Sequence, residues 1–209
     1  MNEVMIEQIR IAPQKNLFDY MGNVVGNSFF PTLREGLILE FGVHVGNTLK
    51  VISSCTNRPV FGFDSFEGLP EYWSGAGGLP AGTFACDPPM GLKENVVLIK
   101  GWFENTVPPF CNIFKSLNKV SLMHIDCDVG SGATTVLNNF QEVDMFQDGT
   151  IIIFDEIMGY PGWEEGEFQS FNNFLDTSGY KWECIGRHGG DPENLLTGGE
   201  VKAAFRIFN

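Results

Sequence analysis

Two short acidic strings close two apolar runs: His124-Ile-Asp126-Cys-Asp128 ends VSLMHI, and Asp155-Glu156 ends TIIIF. Each run has the length and apolar content of a strand buried on both faces. If the chain stays extended to the end of the first string, His124, Asp126 and Asp128 share one face. That arrangement is expensive without a cation or hydrogen-bond partners. Two neighbouring strands would then deliver carboxylates to one edge of a sheet. A different chemistry is signalled upstream, in GLILEFGVHVGN. There Gly42 and Gly46 allow a tight turn and close backbone approach to a ligand, and Asn47 or Thr48 can cap a following helix. The next apolar run, VFGFD, ends in Asp64, about twenty residues on, where nucleotide-binding α/β folds place a ribose-binding acid. These residues point to a nucleoside site.

The elements that must position them alternate between strand and helix. Buried strands are expected at 37–41, 60–63, 95–100, 120–125 and 150–154, with helices over 47–55, over 110–117 and after Ser131, a plausible N-cap for a helix carrying Val136, Leu137 and Phe140. The segment EEGEFQSFNNFL is amphipathic, with Phe168, Phe171, Phe174 and Leu175 on one face and Gly179 as its stop. Residues 180–186 and 201–208 alternate as a terminal antiparallel hairpin. WSGAGGLPAGTFACDPPMG is too rich in glycine and proline for a regular element. Hanging from the Asp64 end of a strand, it is expected to wall the site. Gly101-Trp102-Phe103 ends the third strand at the same crevice, so either aromatic could flank a planar base. Residues 1–35, with Phe18, Tyr20, Met21, Phe29 and Phe30 before Pro31, read as an N-terminal helical segment covering one side of the site.

The 209 residues suit one domain, 1–209, and contain no apolar run long enough to span a membrane. MNEVMIEQIR lacks the apolar segment of an export signal, so a cytoplasmic location is expected. The five cysteines are scattered without a CxxC pair and read as reduced core thiols. Thirteen Lys and Arg against twenty-six acids, a formal charge of −13, leave no basic stripe for DNA or RNA and disfavour an anionic membrane surface.

Taken together, LEFGVHVGNT, GFDSFEGLPEYW, LIKGWFENT, HIDCD and FDEIMGYPGWEEGEF resemble, in order, the class I S-adenosylmethionine-dependent methyltransferases of the macrocin O-methyltransferase (TylF) type. The resemblance runs from about residue 36 to 175. It implies an α/β Rossmann-like fold whose seven-stranded, mostly parallel sheet has order 3-2-1-4-5-7-6, strand 7 antiparallel, with helices on both faces. It also implies that Glu40, Gly42, Val43, His44, Gly46 and Asn47 form the cofactor loop, that Asp64 binds the ribose, and that Ser65, Phe66, Gly101 and Trp102 line the adenine side. A divalent cation, usually Mg2+, would be held by Asp126, Asp155 and Glu156. Oxygen ligands suit such a hard cation better than zinc.

The chain departs from the family after HIDCD, where Val129-Gly130-Ser131-Gly132-Ala133 replaces Leu-Tyr-Ser-Ser-Thr. The base lysine of the related catechol O-methyltransferases has no counterpart, since Val129 holds its position. Asp128, then Asp126, are the candidate proton acceptors for methyl transfer to a small-molecule hydroxyl, sugar or phenol-like, if a metal has first acidified that hydroxyl. Two other functions compete: a nicotinamide-dependent oxidoreductase, although Gly42-x-x-x-Gly46 is not GxGxxG, and a cofactor-binding module without catalysis. A homodimer is the default assembly.

Overall fold

The computed structural model describes residues 2–15, 32–191, 194, 196 and 198–209. Seven strands form one sheet: β1 (Leu37–Phe41), β2 (Val60–Asp64), β3 (Val96–Lys100), β4 (Val120–Ile125), β5 (Ile151–Met158), β6 (Lys181–Gly189) and β7 (Val201–Phe208). Their order is β3-β2-β1-β4-β5-β7-β6. β7 runs antiparallel to both neighbours and the other pairings are parallel, as expected. The third strand differs from its expected burial. β3 lies at the sheet edge, and none of its residues is fully buried: Val96, Leu98 and Ile99 are half-buried and Val97 and Lys100 exposed.

Among the described residues five α-helices accompany the sheet: α1 (Glu3–Ile11), α2 (Asn47–Ser54), α3 (Phe103–Phe114), α4 (Gly130–Glu142) and α5 (Glu167–Ser178). Strand periodicity sorts the core into two layers. Leu37, Leu39 and Phe41 of β1 join Phe110 of α3, Phe140 of α4, and Phe171 and Phe174 of α5 in one cluster. Ile38 joins Leu49 and Ile52 of α2 in the other. Helices therefore cover both faces.

Helix starts differ most from expectation. Gly46, in a left-handed conformation at φ 76°, occupies the N-cap of α2, and Asn47 is its first residue. Ser131 lies inside α4, whose N-cap is Val129. α3 begins seven residues before the expected Phe110 and continues through Pro108 and Pro109. Within 1–35, α1 is helical, with Met5 and Ile9 buried. The expected aromatic segment around Phe18 to Phe30 falls outside the described residues. All five cysteines are free thiols. No helix among the described residues is long and apolar enough to cross a membrane.

Candidate active site

A cavity of about 640 Å³ opens across the carboxyl ends of the strands. Its lining includes Gly42, His44, Asp64, Ser65, Gly101 and Trp102 together with Asp126, Asp128 and Glu156. The nucleoside loop and the acidic strings thus meet in one space, although most of the chain from 65 to 125 separates them in sequence.

Asp64 builds the loop end. Its Oδ2 accepts the backbone N–H of Val43 at 2.8 Å and of His44 at 2.7 Å, and its Oδ1 accepts Phe66 N–H at 2.7 Å. Charge-assisted bonds of this kind fix the loop. They hold His44 and Phe66 at φ 48° and 61°, a left-handed region costly for residues with a Cβ. Gly42 is required for a related reason. At φ 93°, a Cβ there would sit 1.7 Å from the carbonyl oxygen of Asp126, so β1 could not pass the end of β4. Glu40, Val43, Gly46, Asn47 and Phe66 do not line the cavity. Val43 and Phe66 are buried beside α2, Gly46 caps that helix, and Glu40 points along the sheet.

The acidic end is split by strand geometry. β4 stops at Ile125, and Asp128 turns to φ 61°, so the three members of its string do not stay on one extended face. Asp155 and Glu156 are consecutive residues of β5 where its register with β7 becomes irregular, and their carboxyls lie in hydrogen-bond contact. Two groups of ligand atoms, each within 4.8 Å, result: His124, Asp126 and Asp155 in one, and Asp126, Asp128 and Glu156 in the other. Of the three acids assigned to a cation by resemblance, Asp126 and Glu156 line the cavity, and Asp155 stands behind them, its ligand oxygen within 4.8 Å of that of Asp126 and its carboxyl in hydrogen-bond contact with Glu156.

Asp155 belongs to a row of charges crossing four strands. Glu40 stands opposite His124 in the β1–β4 register, and its Oε1 lies 3.1 Å from His124 Nδ1. His124 Nε2 is 3.6 Å from Asp155 Oδ1, and Lys202 on β7 is ion-paired with Asp155 Oδ2. Burial works against charge on His124, but hydrogen bonds to Asp155 and Glu40 outweigh it and hold the imidazole up at about 10. Burial also acts to raise Asp155, yet His124 and Lys202 keep its carboxyl well below the usual range. No sequence signal identified this row, because period-two alternation places residues on a face without saying which strands are neighbours.

On the cavity side, burial and the charge of Asp155 push Asp126 and Glu156 well above the ordinary carboxylate range. The same causes push Asp128 up to about 7, with Glu200 adding to the rise and Lys202 opposing it. Glu156 Oε2 is buried and has no hydrogen-bond partner among the described residues. Closely spaced buried oxygens with an orphan acceptor make a donor set that fits a hard divalent cation. Glu167 supports the floor, its Oε1 accepting Cys127 N–H at 3.1 Å.

The departure after HIDCD has a packing reason. A Cβ on Gly130 would stand 2.8 Å from Glu165 O and 2.9 Å from Gly166 O, so α4 starts hard against the turn before α5. The expected wall is present as well: Gly68, Leu69, Glu71, Trp73, Ala76 and Phe84 of the long loop line the cavity. Ser131 of α4 donates to Glu71 Oε1 at 2.5 Å and ties that loop down.

The strand order with its terminal antiparallel hairpin defines the Rossmann-like class I methyltransferase fold. Among solved structures, the chain matches CalS11, a calicheamicin methyltransferase, with TM-score 0.63 at 22% identity, covering 85% of this chain and 74% of that one. It matches the O-methyltransferase NovP with TM-score 0.59 at 17% identity, covering 98% and 80%. Fibrillarin from Aeropyrum pernix, with natively bound S-adenosylmethionine, matches with TM-score 0.50 at 14% identity, covering 84% and 68%. At these identities the likeness is one of fold. No protein-family model and no curated protein matches the sequence.

Proposed function

We propose that the chain is an S-adenosylmethionine-dependent O-methyltransferase of the macrocin O-methyltransferase type, acting on a hydroxyl of a small molecule with a divalent cation, Mg2+, at the acidic end. The observation that carries this reading is the joining of two half-sites in one cavity, the Gly42–Asp64 loop and the acids Asp126, Asp128 and Glu156. A nicotinamide oxidoreductase would have use for the first and none for the second. CalS11 is also described as a TDP-rhamnose 3'-O-methyltransferase, which supports a hydroxyl acceptor on this fold.

When bound, S-adenosylmethionine supplies an electrophilic methyl group and the cation a Lewis acid that lowers the pKa of the acceptor hydroxyl. The chain does the rest. Asp64 and the amide groups it orients hold the ribose end, while Gly101 and Trp102 border the base. Asp126 and Glu156, with Asp155 beside them, would hold the cation. Asp128, on the cavity wall beside them, is placed to take the proton of the acceptor hydroxyl. The loop 68–84 covers the site and excludes water.

Calorimetric titration of S-adenosylmethionine and its demethylated product, with and without Mg2+ and beside a nicotinamide dinucleotide, tests the assignment. Tight adenosyl binding is expected. Dinucleotide binding in its place would move the protein to the oxidoreductases. In turnover assays, Asp126→Asn and Glu156→Gln are expected to lower activity at least about a hundredfold, while Glu94→Gln, a change at an exposed acid, leaves it intact.

A further inference from the structure

The acid that the resemblance places third around the cation already has cations of its own. His124 Nε2 lies 3.6 Å from Asp155 Oδ1, and Lys202 is ion-paired with Asp155 Oδ2. Both are built into the sheet. His124 is fully buried and its other ring nitrogen lies 3.1 Å from Glu40 Oε1, so the imidazole is fixed at both ends. Lys202 is placed by strand pairing. Ala203 of β7 stands opposite Phe154 of β5, and the antiparallel run carries Lys202 alongside Asp155 just where the register becomes irregular. Its side chain is 22% exposed, so leaving Asp155 for water would uncover little and strand a buried carboxylate.

The same ammonium borders the whole cation site. The ligand oxygen of Asp155 lies within 4.8 Å of that of Asp126, and its carboxyl contacts Glu156. The negative charges that act on Lys202 are those of Asp155, Glu156 and Asp126, all three acids assigned to the cation by resemblance. A fixed positive charge at that distance repels a divalent cation. An oxygen engaged by an ammonium is also a poor ligand until the charge-assisted bond is broken. Both effects weaken cation binding. A lysine that merely held Asp155 in a coordinating position would do the opposite and strengthen it, so the sign of its effect separates the two roles.

Resting on the cation named under the proposed function, we propose that Lys202 sets the strength of that cation's binding: its ammonium competes for Asp155 and leaves Asp126 and Glu156 to carry most of the affinity. Lys202 is thus a positioning residue. It acts on the cation through Asp155, and the bound metal is kept exchangeable by a charge the chain itself supplies.

Calorimetric titration of Mg2+ and the electron spin resonance signal of free Mn2+, both recorded at pH 8 on the full chain, test this. Lys202→Met and Lys202→Gln are expected to bind either ion at least about tenfold more tightly than the native chain, whereas Lys202→Arg, which keeps the charge, stays within about threefold of it. Lys115→Met, which removes an exposed charge at the end of α3, should leave the affinity unchanged. In Lys202→Met/Asp155→Asn the gain should disappear, since the oxygen released by the first change is removed by the second. Lys202→Gln keeps an amide to donate to Asp155 and carries the test if Lys202→Met folds too poorly to titrate. Unchanged or weaker binding in the Lys202 variants, or a gain that survives loss of Asp155, overturns the proposal. No binding of either ion to the native chain and to both variants overturns the cation reading and this inference with it, while S-adenosylmethionine binding is read separately in a titration without metal.

Discussion

Lys202 on β7 and His124 on β4 approach the two oxygens of Asp155 from opposite sides, Lys202 at Oδ2 and His124 at Oδ1. The Asp155 carboxylate is therefore neutralised by the protein's own cations, directly behind the cavity-lining acids Asp126 and Glu156. Glu156, its neighbour in sequence, is left to face the site.

Removing Lys202 takes away one of those two cations. Lys202→Met is expected to destabilise the fold by about 2–3 kcal/mol, less than the loss of a fully buried partner because the Lys202 side chain keeps some solvent contact. The double variant Lys202→Met/Asp155→Asn should recover most of that loss in urea titrations, giving a positive coupling energy. A single variant as stable as the native chain would show that the pair contributes nothing.

Gly42 is the tightest point of the site. Gly42→Ala drives a Cβ into the Asp126 carbonyl and places alanine at φ 93°, so β1 and β4 must separate where the two half-sites join. A loss of about 3 kcal/mol or more is expected, with cofactor affinity falling in parallel. Gly91→Ala, also left-handed but with open space around its Cβ position, controls for backbone strain alone and should cost about 1 kcal/mol.

Glu167 gives a pH signature. Burial leads the causes that push its carboxyl from 4.5 up to about 8, against the pull of its bond from Cys127 N–H. The folded chain therefore binds a proton between those values that the unfolded chain has released. Stability must fall as pH rises from about 5 to 8, by on the order of a few kcal/mol from this group. Glu167→Gln keeps an oxygen for Cys127 and should flatten that slope in melting curves recorded across the range. An unchanged slope would assign the pH dependence to other groups.

Sequence alone determined the strand–helix alternation, the ends of the first four strands to within a residue, and the class of fold, whereas β5 runs four residues past the expected Phe154 and β6 three past Gly186. These are local matters: buried strands write themselves as unbroken apolar runs, as in VSLMHI, and the glycine loop and Asp64 fall at a spacing set by one strand-loop-helix-strand unit. Helix starts were less legible, because α2 and α4 use a glycine and a valine at their N-caps in place of a side-chain acceptor.

Only the tertiary structure decided which acids act together. Asp155 and Glu156 are neighbours in sequence and stay in contact, yet Glu156 lines the cavity while Asp155 pairs with His124 and Lys202, a division set by which strands lie beside β5. Glu40, His124, Asp155 and Lys202 are far apart in sequence and form one row, because β1, β4, β5 and β7 are adjacent and present those residues on the same face. Glu71 and Glu200 reach the cavity through a tethered loop and the start of β7, routes that no periodicity encodes. Charge type is written in the chain, but which charges meet depends on strand order and register, fixed by contacts between residues distant in sequence.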